Sequence, residues 1–101
     1  MSVIKINKNN FTNEVLNSEK PVLLDFYADW CGPCRMVSPI VSEIAEERND
    51  VKVGKINVDE QQELAAMFRV MSIPTLVVVK NGKLTNQTIG FCSKEQIEAM
   101  L

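Results

Sequence analysis

The stretch Val22–Met36, VLLDFYADWCGPCRM, changes its period halfway along. The first half, VLLDFYA, is apolar at nearly every position, which is how a central strand covered on both faces reads. Beyond Asp29 and Trp30, the residues Met36, Val37, Ile40, Val41, Ile44 and Ala45 recur at helical spacing, and Glu43, Glu46, Glu47 and Arg48 fall elsewhere on that helix. Pro39 lies inside it and is expected to kink it. A strand, a turn and a helix in this order place Cys31 and Cys34 at the helix's first turn. Ligands of open α/β sheets bind at that end of the strands.

The same alternation of periods extends both ways. Val3–Ile6 reads as a short edge strand, and Asn10 as the cap of a helix carrying Phe11, Val15 and Leu16 up to Pro21. Val51–Val58 alternates as a strand does, and Asp59 with Gln62 resembles a capping box for a helix bearing Leu64, Ala65 and Phe68. Thr75–Val79 is a strand, and Asn81–Gly82 is a hairpin signal leading to another over Leu84–Ile89. Ser93 with Gln96 repeats the capping pattern before a last helix carrying Ile97 and Leu101. The order βαβαβαββα predicts an α/β fold. Helical crossovers make the early strands parallel and the hairpin adds an antiparallel one, so a mixed five-stranded sheet is flanked by four helices.

A chain of 101 residues has room for a single domain, taken here as residues 1–101. With 46% hydrophobic and 24% charged residues it reads as an ordinary soluble globular protein. Net charge −2 and a pI near 5.1, with no basic face, argue against nucleic acid. No apolar run approaches the roughly 18 residues of a membrane span, and MSVIKINKNN has no apolar core of a signal peptide. A cytoplasmic monomer is the expectation. The absence of histidine removes a Cys–His nucleophile pair and any imidazole zinc site. Three cysteines are too few for an all-thiolate zinc site or for a disulfide framework in place of a core.

Two cysteines three positions apart on a helix share a face and lie within bridging distance. A bridge so short closes almost no loop and stabilises little, which disfavours a structural staple. As a reagent the pair makes sense. Unpaired helix N–H groups and the positive dipole end favour a thiolate at Cys31, expected nearer solvent, and Cys34 one turn deeper can attack a mixed disulfide formed there. Gly32 permits the tight turn and Pro33 suits an early helical position. Asp25 interrupts the apolar run; it is either a strand residue facing water or a buried carboxyl of raised pKa able to exchange a proton with Cys34. Lys55 on its own reads equally as a surface lysine.

WCGPC between a DFYADW strand and a proline-containing helix resembles the thioredoxin family, and the likeness runs from about residue 3 to the end. The resemblance implies a redox-active Cys31–Cys34 disulfide in a protein-disulfide reductase serving electron transport and cell redox homeostasis. It implies Cys31 as nucleophile, Cys34 as resolving thiol, Asp25 as proton partner of Cys34, Lys55 as a lysine near that acid, and Gly32 and Pro33 as tuners of the redox potential. It also implies a cis Pro74 opposite the pair, with Trp30, Ile73, Pro74, Gly90 and Phe91 as an apolar rim for partner proteins. Disulfide-containing substrates and a thioredoxin reductase are the implied partners; no cofactor is bound, and NADPH acts indirectly through the reductase. Tyr27 stands where many members carry tryptophan, and Arg35 where lysine is common. Cys92 has no C-x-x-C partner and reads as an apolar filler or a regulatory thiol at the rim.

Two other functions fit the same fold. One is a disulfide-forming oxidase, disfavoured by a Gly-Pro dipeptide lacking the histidine of many oxidising relatives; a reduction potential separates it. The other is a non-catalytic module that binds partners through the same groove; it would survive loss of both thiols.

Overall fold

Alternation along the strands decides where the core lies. In a computed structural model, which describes residues 2–101, five strands form one sheet: β1 (Ile4–Lys5), β2 (Val22–Tyr27), β3 (Lys52–Asn57), β4 (Thr75–Lys80) and β5 (Lys83–Ile89). Their spatial order is β1-β3-β2-β4-β5. Helices α1 (Gly32–Glu47), α2 (Gln62–Met67) and α3 (Lys94–Met100), with a π-helical turn over Thr12–Leu16, complete the α/β fold. Successive side chains of β2 point to opposite faces. Leu23 joins Val37, Val41 and Ile44 of α1 and Ile97 of α3 on one face. Val22, Leu24 and Phe26 join Phe11, Val15 and Leu64 on the other. Helices therefore cover both faces, as the unbroken apolar run of β2 requires.

β1, β3 and β2 are parallel, whereas β4 runs antiparallel to β2 and β5 antiparallel to β4. The reversal at β4 is a departure from simple parallel crossovers: α2 and the irregular segment after it return the chain in the opposite sense. The hairpin turn forms at Asn81 and Gly82, both with positive φ, at 53° and 76°. Gly54 of β3 faces Ile6, whose Cγ1 would lie 2.7 Å from an added Cβ, so a side chain there would require Ile6 to shift.

Three local expectations need correction. The first strand spans only Ile4–Lys5. Asn10 does not cap the first helical turn. Its side chain turns back, accepting from the Asn7 N–H at 2.8 Å and donating to the Lys5 carbonyl at 2.9 Å, and Leu16 is left exposed. Asp59 and Gln62 form no capping box, because Asn57 Oδ1 already accepts from the Asp59 and Glu60 N–H groups and α2 begins after Gln61. At Ser93 the box is complete: Ser93 Oγ accepts from the Gln96 N–H and Gln96 Oε1 from the Ser93 N–H.

Candidate active site

The C-terminal end of β2 delivers Tyr27 and Ala28 to a turn in which the Cys31 N–H donates to the Ala28 carbonyl at 3.2 Å. Cys31 is the N-cap of α1, in extended conformation, and Gly32 and Pro33 are its first two residues. Proline is tolerated there because its missing N–H would have had no helical partner. Cys34 lies one turn in, its N–H donating to Cys31 Sγ at 3.2 Å. The two sulfurs are bonded, with Cα atoms 5.3 Å apart. Cys31 is expected nearer solvent, but the two are buried almost alike, at 4% and 3% exposure, because Ala28, Tyr27, Val58 and Ile73 pack around the pair. What separates them is their place on the helix, one capping it and one inside it.

Asp25 lies on β2, lines a cavity with Cys34 and is 3% exposed. Its Oδ1 has no hydrogen-bond partner among the described residues, an uncommon state for a buried oxygen. Burial pushes the carboxyl from its ordinary 3.8 up to about 7, and the Lys55 ammonium partly opposes this. Lys55 is the register partner of Asp25 on β3, and its Nζ lies 6.0 Å from the Tyr27 ring centroid. Asp25, Lys55, Tyr27, Cys34 and Arg35 line one cavity of about 200 Å³. Arg35 donates to the Asp29 carbonyl at 2.8 Å and so closes over the turn.

The residues expected to form the rim come from three further segments. The pairing of Phe26 with Thr75 sets the start of β4 beside the end of β2, and the Ile73–Pro74 peptide is cis. The Gly90 N–H donates to the Pro74 carbonyl at 2.8 Å, with Gly90 at a φ of 90°, which favours glycine. Phe91 is exposed. Trp30 is 70% exposed, yet its Nε1 donates to Asp59 Oδ2 at 2.9 Å. Asp59 and Val58 are residues at the site that sequence reasoning missed; the only available signal was their position directly after the KIN end of β3. Cys92 is not on this rim. It is buried with Leu23, Val37 and Ile97, and its Sγ lies 3.3 Å from the Thr88 hydroxyl.

This arrangement coincides with a known one. The family model described as thioredoxin matches residues 2–101. The chain belongs to the thioredoxin family. It is 47% identical over 102 residues to a thioredoxin of Porphyra purpurea, covering all of this chain and 95% of that protein. A thioredoxin of Alicyclobacillus acidocaldarius is 51% identical over 89 residues, 87% of this chain and 85% of that protein, and one of Bacillus subtilis is 43% identical over 102 residues, 100% and 96%. With the Cys31–Cys34 pair in place, the chain is a protein-disulfide reductase, a thiol–disulfide oxidoreductase with a redox-active dithiol. Thioredoxins carry no bound cofactor, and NADPH acts on them through a thioredoxin reductase. Disulfide substrates and such a reductase are the partners of the family in general. Among the described residues no group of three or more cysteine or acidic side chains could hold a metal ion, and no helix is long and apolar enough to cross a membrane.

Proposed function

We propose that the whole chain, residues 1–101, works as one domain whose Cys31 opens substrate disulfides and whose Cys34 closes the cycle. The observation that carries this reading is the shared cavity joining Cys34 to the unpartnered carboxyl of Asp25 directly under the helix N-terminus. In the reduced protein, the helix N–H groups and dipole stabilise a thiolate on Cys31. That thiolate attacks one sulfur of a substrate disulfide; the substrate S–S bond breaks, a Cys31–substrate bond forms, and the departing sulfur takes up a proton. Cys34 then loses its proton to the Asp25 carboxylate and attacks Cys31 Sγ. The Cys31–Cys34 bond forms, the second substrate thiol leaves, and two electrons have passed to the substrate. Two electrons from NADPH, delivered by a thioredoxin reductase, restore the dithiol.

Lys55 supports the step by favouring the charged form of Asp25, while Gly32 and Pro33 set the potential of the pair. Trp30, Ile73, Pro74, Gly90 and Phe91 receive the substrate segment, and Asp59 holds the Trp30 indole in place. The compartment fitting this chemistry is the reducing cytoplasm, and the working form is a monomer. A coupled assay tests the proposal: with thioredoxin reductase and NADPH, the protein should reduce a disulfide substrate catalytically. Absence of NADPH consumption, with the dithiol shown to be reduced chemically beforehand, would contradict it.

A further inference from the structure

Arg69 ends α2 in a conformation that suits glycine. Its φ is 55°, in the left-handed region, while its N–H donates to Ala66 and that of Val70 to Ala65 to close the helix. Keeping a long cationic side chain at such a position costs backbone strain, and strained positions that persist point to a use for the residue. No internal partner accounts for it: among the described residues no carboxylate lies within ion-pair distance of Arg69. The acids nearest in sequence are engaged elsewhere, Asp59 with Trp30, Glu60 with Lys5 and Glu63 with Lys8.

Arg69 lines two open concavities, one of them together with Phe11, Leu16, Met67 and Leu84. In the other, of about 620 Å³, Arg69 is the only charged residue among the described ones, and the remaining walls include Val58, Ala65, Ala66 and Met71. Val58 also packs against the Ala28–Cys31–Cys34 cluster, so this concavity abuts the redox pair. Met71 is 91% exposed three residues before Pro74, and a thioether on an unbranched chain adapts to many apolar shapes. A lone cation beside an adaptable apolar wall is complementary to a segment carrying a carboxylate next to apolar side chains.

We propose that Arg69 and this concavity form the docking surface for the flank of a protein substrate that presents an acidic side chain among apolar ones. The inference rests on the disulfide-reductase reading above and names a preference within it. The charge acts on encounter and on the bound complex, outside the exchange of sulfurs, so it sets which disulfides are reduced fastest.

The test uses matched cyclic disulfide peptides with an apolar flank that differ only by Glu or Lys at one flanking position, scanned along it. Each is reduced by the full protein, held in the dithiol form by dithiothreitol. At low salt the Glu peptide at the best position should react about threefold faster than its Lys counterpart, as an exposed ion pair allows. The ratio should shrink toward one at ~1 M salt. Arg69→Gln should abolish the preference and Arg69→Glu should invert it. Arg69→Gly should also raise the denaturant midpoint by relieving the left-handed strain. Equal Glu and Lys rates at every position, or a ratio unchanged in Arg69→Gln, would overturn the inference; so would a lowered midpoint in Arg69→Gly, which would show that the side chain is kept for the fold. Loss of reduction of every peptide by the parent protein would instead contradict the reductase reading itself.

Discussion

The redox pair and Cys92 are buried to the same depth, at 3–4% exposure, and have nothing else in common. Cys92 is enclosed by the aliphatic side chains between the sheet, α1 and α3, with one hydroxyl, that of Thr88, in reach. Cys31 and Cys34 lie at the N-terminus of a 16-residue helix, and Cys34 lines a cavity shared with a buried acid and a lysine. Burial therefore does not make a thiol reactive. In the proposed cycle the helix end supplies partial positive charge, the cavity gives the proton somewhere to go, and the rim residues give a partner somewhere to sit.

The largest effect should come from the pair itself. Cys31→Ser should lower steady-state reductase turnover by at least about a thousandfold, the scale on which loss of a nucleophile acts. Turnover retained within tenfold would mean that Cys34, or Cys92, can start the reaction, and the contrast between the two regions would fail.

Asp25 comes next, and it links chemistry to stability. Its folded pKa of about 7 lies above the ordinary 3.8, so it imposes no burden below about pH 3.8. As pH rises from there to about 7 the unfolded chain ionises first and stability is lost; above that the loss levels off. The full loss is on the order of 4 kcal/mol, at about 1.4 kcal/mol for each tenfold change in proton affinity. Asp25→Asn should therefore be more stable than the parent in denaturant melts at pH 8, with the gain shrinking toward pH 4. It should also slow resolution of the mixed disulfide by about tenfold or more, the lower range for a proton-transfer group. Lower stability at pH 8, or an unchanged rate, would remove Asp25 from its proposed role.

Lys55 sharpens the same point more gently. Its charge opposes the burial of Asp25, so Lys55→Gln should raise the Asp25 pKa above about 7 and carry the pH dependence of resolution upward with it. A carboxyl titration followed by NMR reads this directly; an unmoved midpoint would make Lys55 a surface lysine. The smallest effect belongs to Cys92. Cys92→Ser should leave turnover within about twofold, since a change well under ~1 kcal/mol alters rates little. A tenfold loss would bring the third thiol into the cycle.

Much of this was legible in the sequence because the signals are local. The apolar run of β2, the spacing of α1, the Asn81–Gly82 turn and the Ser93–Gln96 box each depend on a few neighbours. The same spacing misleads at Asp59 and Gln62, because Asn57 reaches the N–H groups first and Trp30, 29 residues away, claims the carboxylate. The antiparallel sense of β4 has no local signature either, since periodicity is blind to direction. The site divides in the same way. Cys31, Cys34 and Asp25 announce themselves by motif and by interruption of a run, whereas Asp59, Val58 and Arg69 matter only through where the fold puts them.

In the proposed cycle chemistry begins at Cys31 and ends at Cys34, with Cys92 a spectator. Trapping measures it most directly. The Cys34→Ser protein is reduced, mixed with a disulfide-bonded protein substrate, quenched with acid and digested, and the mixed disulfides are mapped by mass spectrometry. A stable substrate adduct should form on Cys31, none on Cys92, and none through Cys34 in the matching Cys31→Ser protein. Adducts through Cys34 in Cys31→Ser, with none on Cys31 in Cys34→Ser, would contradict it.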